Sequence, residues 1–95
     1  MSQKKIEAER FTLIDKEGKA RAVLTLSGDE PCLLFYSKDG RARIEISLSR
    51  DGQEQPMIAL YAKDLRSRIF ISTIEEGQPK IIFTDAKNNV VWETE

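Results

Sequence analysis

A chain of 95 residues holds one domain, and at this size folding buries only about 60 to 65% of the surface that the unfolded chain exposes, so the stability margin is thin. The 15 basic and 16 acidic residues nearly cancel, which excludes the overall positive field that draws proteins onto nucleic acid or anionic lipid. The absence of histidine removes the commonest general base and the commonest metal ligand together, and a single cysteine, Cys32, excludes an internal disulfide and fits a reducing compartment.

Residues 1–5 are expected to be a flexible N-terminal stub, and residues 6–95 a single β-repeat domain. Met1 to Arg10 is rich in charge and has no apolar stretch like a secretory h-region, and no later apolar run is long enough to span a bilayer. No membrane partner is expected, and the expected location is cytoplasmic.

The first strand is read from Phe11 to Ile14, followed by the turn Asp15-Lys16-Glu17-Gly18 and then a strand in which Ala22, Leu24 and Leu26 alternate with more polar residues. Ser27-Gly28-Asp29-Glu30 turns the chain again, and Pro31 opens the next strand, Leu33 to Tyr36. The cycle repeats three more times. Ser37-Lys38-Asp39-Gly40, Ala62-Lys63-Asp64-Leu65 and Asp85-Ala86-Lys87-Asn88 are the equivalent first turns; Arg50-Asp51-Gly52-Gln53 and Glu75-Glu76-Gly77-Gln78 are the equivalent second turns. Pro31, Pro56 and Pro79 each stand nine residues before Gly40, Leu65 and Asn88, and the spacings from Gly18 through these positions are 22, 25 and 23 residues.

A period in this range marks a unit too small to bury its own apolar surface, so stacked neighbours must share a core. Gly at the fourth turn position takes the left-handed conformation that forms a bulge; Asn tolerates it and Leu does not, so the third turn is expected to be altered or strained. Gly and Pro about every ten residues leave no window for a sustained helical pattern. The expected fold is all-β, an up-and-down antiparallel meander of about eight strands built from four hairpins.

With Asp15 set opposite Lys19, regular pairing puts Tyr36, Ala42, Leu34, Ile44, Cys32 and Ile46 on one face, and Tyr61, Ser67, Ala59, Ile69, Met57 and Ile71 on the same face of the next hairpin. That face is expected to be buried. The other face then mixes charge with large apolar groups, Phe35 beside Arg43, Leu33 beside Glu45, Leu60 beside Arg68 and Ile58 beside Phe70. A contiguous stripe of this kind is rarely left bare. Leu33, Phe35, Ile58, Leu60, Phe70 and Phe83 are therefore candidate oligomer-interface residues.

The most regular charged motif is a basic pair after each first turn: Lys19 with Arg21, Arg41 with Arg43, Arg66 with Arg68. Alternation sets both members of a pair on one face, where six cations could grip phosphate or carboxylate. The structural alternative is that they offset nearby acids and lay their stems over apolar neighbours. The fourth copy has Asn89 and Val91 instead. The turn acids Asp15, Asp39, Asp51, Asp64 and Asp85 are ordinary turn residues at no EF-hand spacing, so no metal and no cofactor are expected. Cys32 has no histidine to activate it, and Tyr36, Tyr61 and Trp92 read as packing residues, so no catalytic residue is assigned.

Arg10-Phe11-Thr12-Leu13-Ile14-Asp15-Lys16-Glu17-Gly18-Lys19-Ala20-Arg21-Ala22, the weaker copies after it and the closing Val90-Val91-Trp92 resemble a group of uncharacterised bacterial proteins built from tandem Phe-x-Leu-x-Asp-x-x-Gly-Lys-x-Arg-Ala repeats. The resemblance covers residues 9–93 and implies a β-repeat architecture with no assigned activity. Leu65, Asn89 and Val91 depart from its pattern.

The function expected on these grounds is a non-enzymatic structural or protein-interaction module that self-associates through its repeat surface, three copies being preferred to two, and presents a scaffold to a protein partner. One alternative is a β-barrel closed around a small apolar ligand. Another is an anion or nucleic-acid binder using Lys19, Arg21, Arg41, Arg43, Arg66 and Arg68, with nucleic acid disfavoured by the near-zero net charge.

Overall fold

The computed structural model describes residues 4–64, 66–73 and 79–94. Eight antiparallel strands form one sheet in sequence order: β1 (Arg10–Ile14), β2 (Ala20–Ser27), β3 (Glu30–Tyr36), β4 (Ala42–Leu48), β5 (Pro56–Tyr61), β6 (Ser67–Ser72), β7 (Lys80–Thr84) and β8 (Val90–Glu93). No helix is present among the described residues. The order is linear, with β1 and β8 as two separate edges, so the sheet does not close into the barrel weighed as an alternative.

The first turns form as their residues dictate. In the first, the Asp15 amide donates to Lys19 O (2.9 Å), the Gly18 amide donates to Asp15 O (3.0 Å), and the Asp15 carboxylate accepts from the amides of Glu17 and Lys19. Gly18 sits at φ 81° and Gly40 at φ 84°; Asn88 takes the same role at φ 67°, the left-handed region that Asn tolerates. The third turn closes from the Ala62 amide to Arg66 O (3.1 Å). Leu65, expected to strain that turn, lies outside the described residues, as do the Glu75-Glu76-Gly77-Gln78 turn and residues 1–3 of the expected stub.

The expected faces are not the observed ones. Each hairpin carries a register shift just before its turn, between Leu13 and Ile14, Phe35 and Tyr36, Leu60 and Tyr61, and Phe83 and Thr84. One extra residue on the returning strand is absorbed there as a bulge, and side chains beyond it change sides. Phe35 therefore pairs with Ile44 rather than Arg43, Leu33 with Ile46 rather than Glu45, Leu60 with Ile69 rather than Arg68, and Ile58 with Ile71 rather than Phe70. The extra residue is Arg43 in the second hairpin and Arg21 in the first.

Opposed residues share a face, so the pairings can be followed across the sheet. One row runs Leu13, Ala22, Phe35, Ile44, Leu60, Ile69, Phe83, Trp92 through all eight strands. Beside it runs Phe11, Leu24, Leu33, Ile46, Ile58, Ile71, Ile81. Leu26 with Pro31, and Leu48 with Pro56, extend the same face. The opposite face carries Thr12, Val23, Leu34, Glu45, Ala59, Phe70, Ile82 and Glu93 in one row.

The buried residues among those described, Val23, Cys32, Ala59 and Ser72, all lie on this second, mixed face. They are small residues between longer neighbours: Val23 stands between Thr12 and Leu34, and Ala59 between Glu45 and Phe70. This is shading within one layer, since the substantial strand contacts are all between sequence neighbours. The radius of gyration is 15.9 Å, against about 12 Å for a compact domain of this length. Among the described residues the sheet is an open single layer without an opposing one.

Candidate functional site

Two features of the sheet are candidates: the uncharged face and the basic pairs. The strand residues of this face include no charged and no hydrogen-bonding side chain apart from the Trp92 indole, with Glu9 and Thr94 at its margins, and much of it is open: Phe11, Leu13, Leu24, Leu26, Phe35, Ile46, Ile58, Ile71, Phe83 and Trp92 are all exposed in the lone chain. Phe83 and Trp92 pack together near the β8 edge, ring centroids 5.1 Å apart. Toward the opposite end a groove of about 400 Å³ runs among Leu24, Leu33, Ile46, Leu48, Pro56 and Ile58. Of the six residues predicted to form an interface, Leu33, Phe35, Ile58, Leu60 and Phe83 lie on this face and Phe70 lies on the other, opposite Ala59 and Ile82.

The expected cation ladder follows the first turns, along one end of the sheet, and its side chains reach into protein. Arg21 Nε donates to Tyr36 O (3.0 Å) and Arg43 Nε to Tyr61 O (2.9 Å). Arg41 Nη1 donates to Lys63 O (3.0 Å), and Arg66 Nη1 to Ala86 O. Each bond runs from one hairpin to the backbone of the next. The pairs also meet turn acids, Arg21 with Asp15 (3.7 Å), Arg68 with Asp64 (3.0 Å), Arg41 with Asp39 (3.9 Å) and Lys19 with Glu17 (3.4 Å). At the other end of the sheet Arg50 Nη1 donates to Ser27 Oγ (2.5 Å), tying consecutive second turns together.

Between these two regions the mixed face holds a small polar group. Glu45 accepts from Ser47 Oγ (2.9 Å) and from the Tyr61 hydroxyl (3.3 Å). Burial and then the Glu45 charge push both the Tyr61 phenol and the Cys32 thiol above their ordinary values, which favours the neutral form of each. Among the described residues no group of three or more His, Cys, Asp or Glu side chains is placed to hold a metal ion. No helix among them is long and apolar enough to cross a membrane.

The turn carboxylates give the fold a pH dependence of definite sign. Asp15, Asp39, Asp51 and Asp85 are held below the usual carboxylate range, chiefly by the Lys19 amide, the Ser37 hydroxyl, the Gln53 amide and the Asn89 amide in that order. Their contribution is whole above the unfolded value, about 3.9, and is lost as pH falls through the lower folded values. Glu30 has the opposite sign. Burial and then the neighbouring Glu54 carboxyl raise it, so its protonation relieves the folded state as pH falls through that raised value. The urea midpoint is expected to hold or rise slightly as pH drops from 7 to about 5, then fall below about 4. Asp15→Asn with Asp85→Asn should flatten the acid limb and Glu30→Gln the rise; an acid limb unchanged in the Asp variants would contradict this assignment.

No protein-family model matches the chain, and no curated protein and no solved structure matches it. The function therefore rests on the geometry of the sheet.

Proposed function

We propose that the chain is a non-enzymatic structural module that pairs with a second copy of itself through the uncharged face, leaving the mixed face and the turn rims to meet a protein partner. The observation that carries this reading is the unbroken apolar row across all eight strands with a second beside it across seven. Eight strands at about 4.8 Å spacing span about 34 Å, and six residues of strand span about 20 Å. The face is therefore about 700 Å², close to the roughly 800 Å² per partner of a stable interface and larger than the patches that monomers usually leave bare.

A second copy fits better than other occupants. Only Val23, Cys32 and Ala59 are buried apolar residues among those described, so the sheet needs its cover in order to fold at all, and another copy is always available. A face without charge offers nothing to repel its own image. Lipid is a poorer match: the strands run from four to eight residues, whereas a strand crossing a bilayer needs about nine to eleven.

Two copies also fit better than the three preferred from the sequence. Three sheets about 34 Å wide around an axis would each stand about 10 Å from it, while facing sheets pack about 10 Å apart and so fill only about 5 Å each. A three-sided prism would enclose an apolar void. A two-layer sandwich closes without one. Light scattering on a sizing column at micromolar concentration should give twice the 10.8 kDa chain mass, and a single well-folded chain at that concentration would refute the reading.

A further inference from the structure

The basic pairs and their loss in the fourth copy point to a device that guards the β8 edge of the sheet. Counted from the turn position (Gly18, Gly40, Leu65, Asn88), the basic residues stand at plus one and plus three. The plus-three arginines, Arg21 and Arg43, donate to the carbonyl at minus four of the next hairpin, Tyr36 O and Tyr61 O. The plus-one arginines, Arg41 and Arg66, donate to the carbonyl at minus two of the next hairpin, Lys63 O and Ala86 O. Both points of this clasp are held between the second and third hairpins, by Arg41 and Arg43; Arg21 holds one between the first and second, and Arg66 one between the third and fourth, so every joint carries at least one arginine that reaches the hairpin ahead.

β8 is an edge of this sheet, and in its hairpin the two positions are Asn89 and Val91. We infer that these arginines are the joint by which one hairpin accepts the next, and that Asn89 and Val91 in their place make β8 a guarded edge that refuses the first hairpin of another copy. The refusal matters because β8 is otherwise well suited to pairing. It is four residues long, uncharged up to Glu93, with Val90 and Val91 exposed, and a bare apolar edge recruits strands from other chains.

The internal register states how such a copy would attach. Residues at plus four pair with minus five of the next hairpin, as Ala22 with Phe35, Ile44 with Leu60 and Ile69 with Phe83. The continuation would set Trp92 against Leu13 of the incoming copy. Without the clasp, that joint lacks two charge-assisted hydrogen bonds, and growth is confined to the uncharged face.

Asn89→Arg with Val91→Arg should restore the joint and strengthen edge association on the order of a hundredfold, from two charge-assisted hydrogen bonds. Sedimentation velocity should then show mass rising with concentration without a plateau, where the native chain shows one closed species. This readout does not depend on how the face is covered, since edge growth appears whether the starting unit is one chain or two. A double variant that keeps its sheet signal and the native mass would overturn the inference. Should that variant not fold, Arg43→Gln provides the second reading: amide exchange across the β4–β5 seam, at Glu45 and Ala59, should quicken about tenfold relative to β2. Uniform exchange in that variant would equally overturn it.

Discussion

Ile46→Lys is expected to separate the paired copies. Ile46 stands in the central row of the uncharged face, between Leu33 and Ile58, and is 43% exposed in the lone chain. In a free sheet a lysine there would reach water and cost no more than about 0.5 kcal/mol. In a face-to-face pair the ammonium would be buried without a partner, costing about 3 to 5 kcal/mol at each of two symmetric sites. Association should weaken at least about a thousandfold, and the mass should fall to that of one chain at concentrations where the native protein is paired. Thr12→Lys is the matched control, exposed and on the opposite face, and should leave the mass unchanged. An Ile46→Lys protein that pairs like the native chain would place the interface elsewhere.

Val23→Asp should unfold the chain, whereas Val91→Asp should cost about 1 kcal/mol or less. Val23 is 2% exposed and Val91 62%, although both are valines on strands of one sheet. An aspartate at 23 would be enclosed between Thr12 and Leu34 with no cation opposite, at a cost of several kcal/mol. That cost is comparable with the whole stability of a small domain, about 5 to 15 kcal/mol, and few other residues among those described are buried to offset it. Circular dichroism should show the sheet signal lost in the first variant and retained in the second. Equal effects at the two sites would mean that the mixed face is not where the lone chain is closed.

The parts of this architecture governed by local chemistry were legible in the sequence. Gly18 and Gly40 after an Asp or Ser specify a turn that few other conformations satisfy, and four such turns at near-constant spacing specify a meander. The assignment of faces was not legible. Arg21 and Arg43 fit a regular alternation as well as they fit a bulge, and the same bulge recurs at Val91, so residue identity at that position does not mark it. Phe70 was misplaced as a result: aromatic character puts it in an apolar row, yet it stands opposite Ala59 on the mixed face.

The clasp itself was missed for a related reason. Its acceptors are backbone carbonyls, which leave no mark on residue identity. The signal that could have revealed it was negative, the disappearance of the basic pair at Asn89 and Val91, at the edge strand β8. Sequence reading found that departure from the pattern without its physical cause.

The central claim is that the uncharged face supplies stability that one sheet lacks by itself. Dilution with parallel readout of mass and β-sheet circular dichroism tests it most directly. Both signals are expected to fall together, the paired species giving way to unfolded chains. A 10.8 kDa species that keeps its full sheet signal far below the pairing concentration would contradict it.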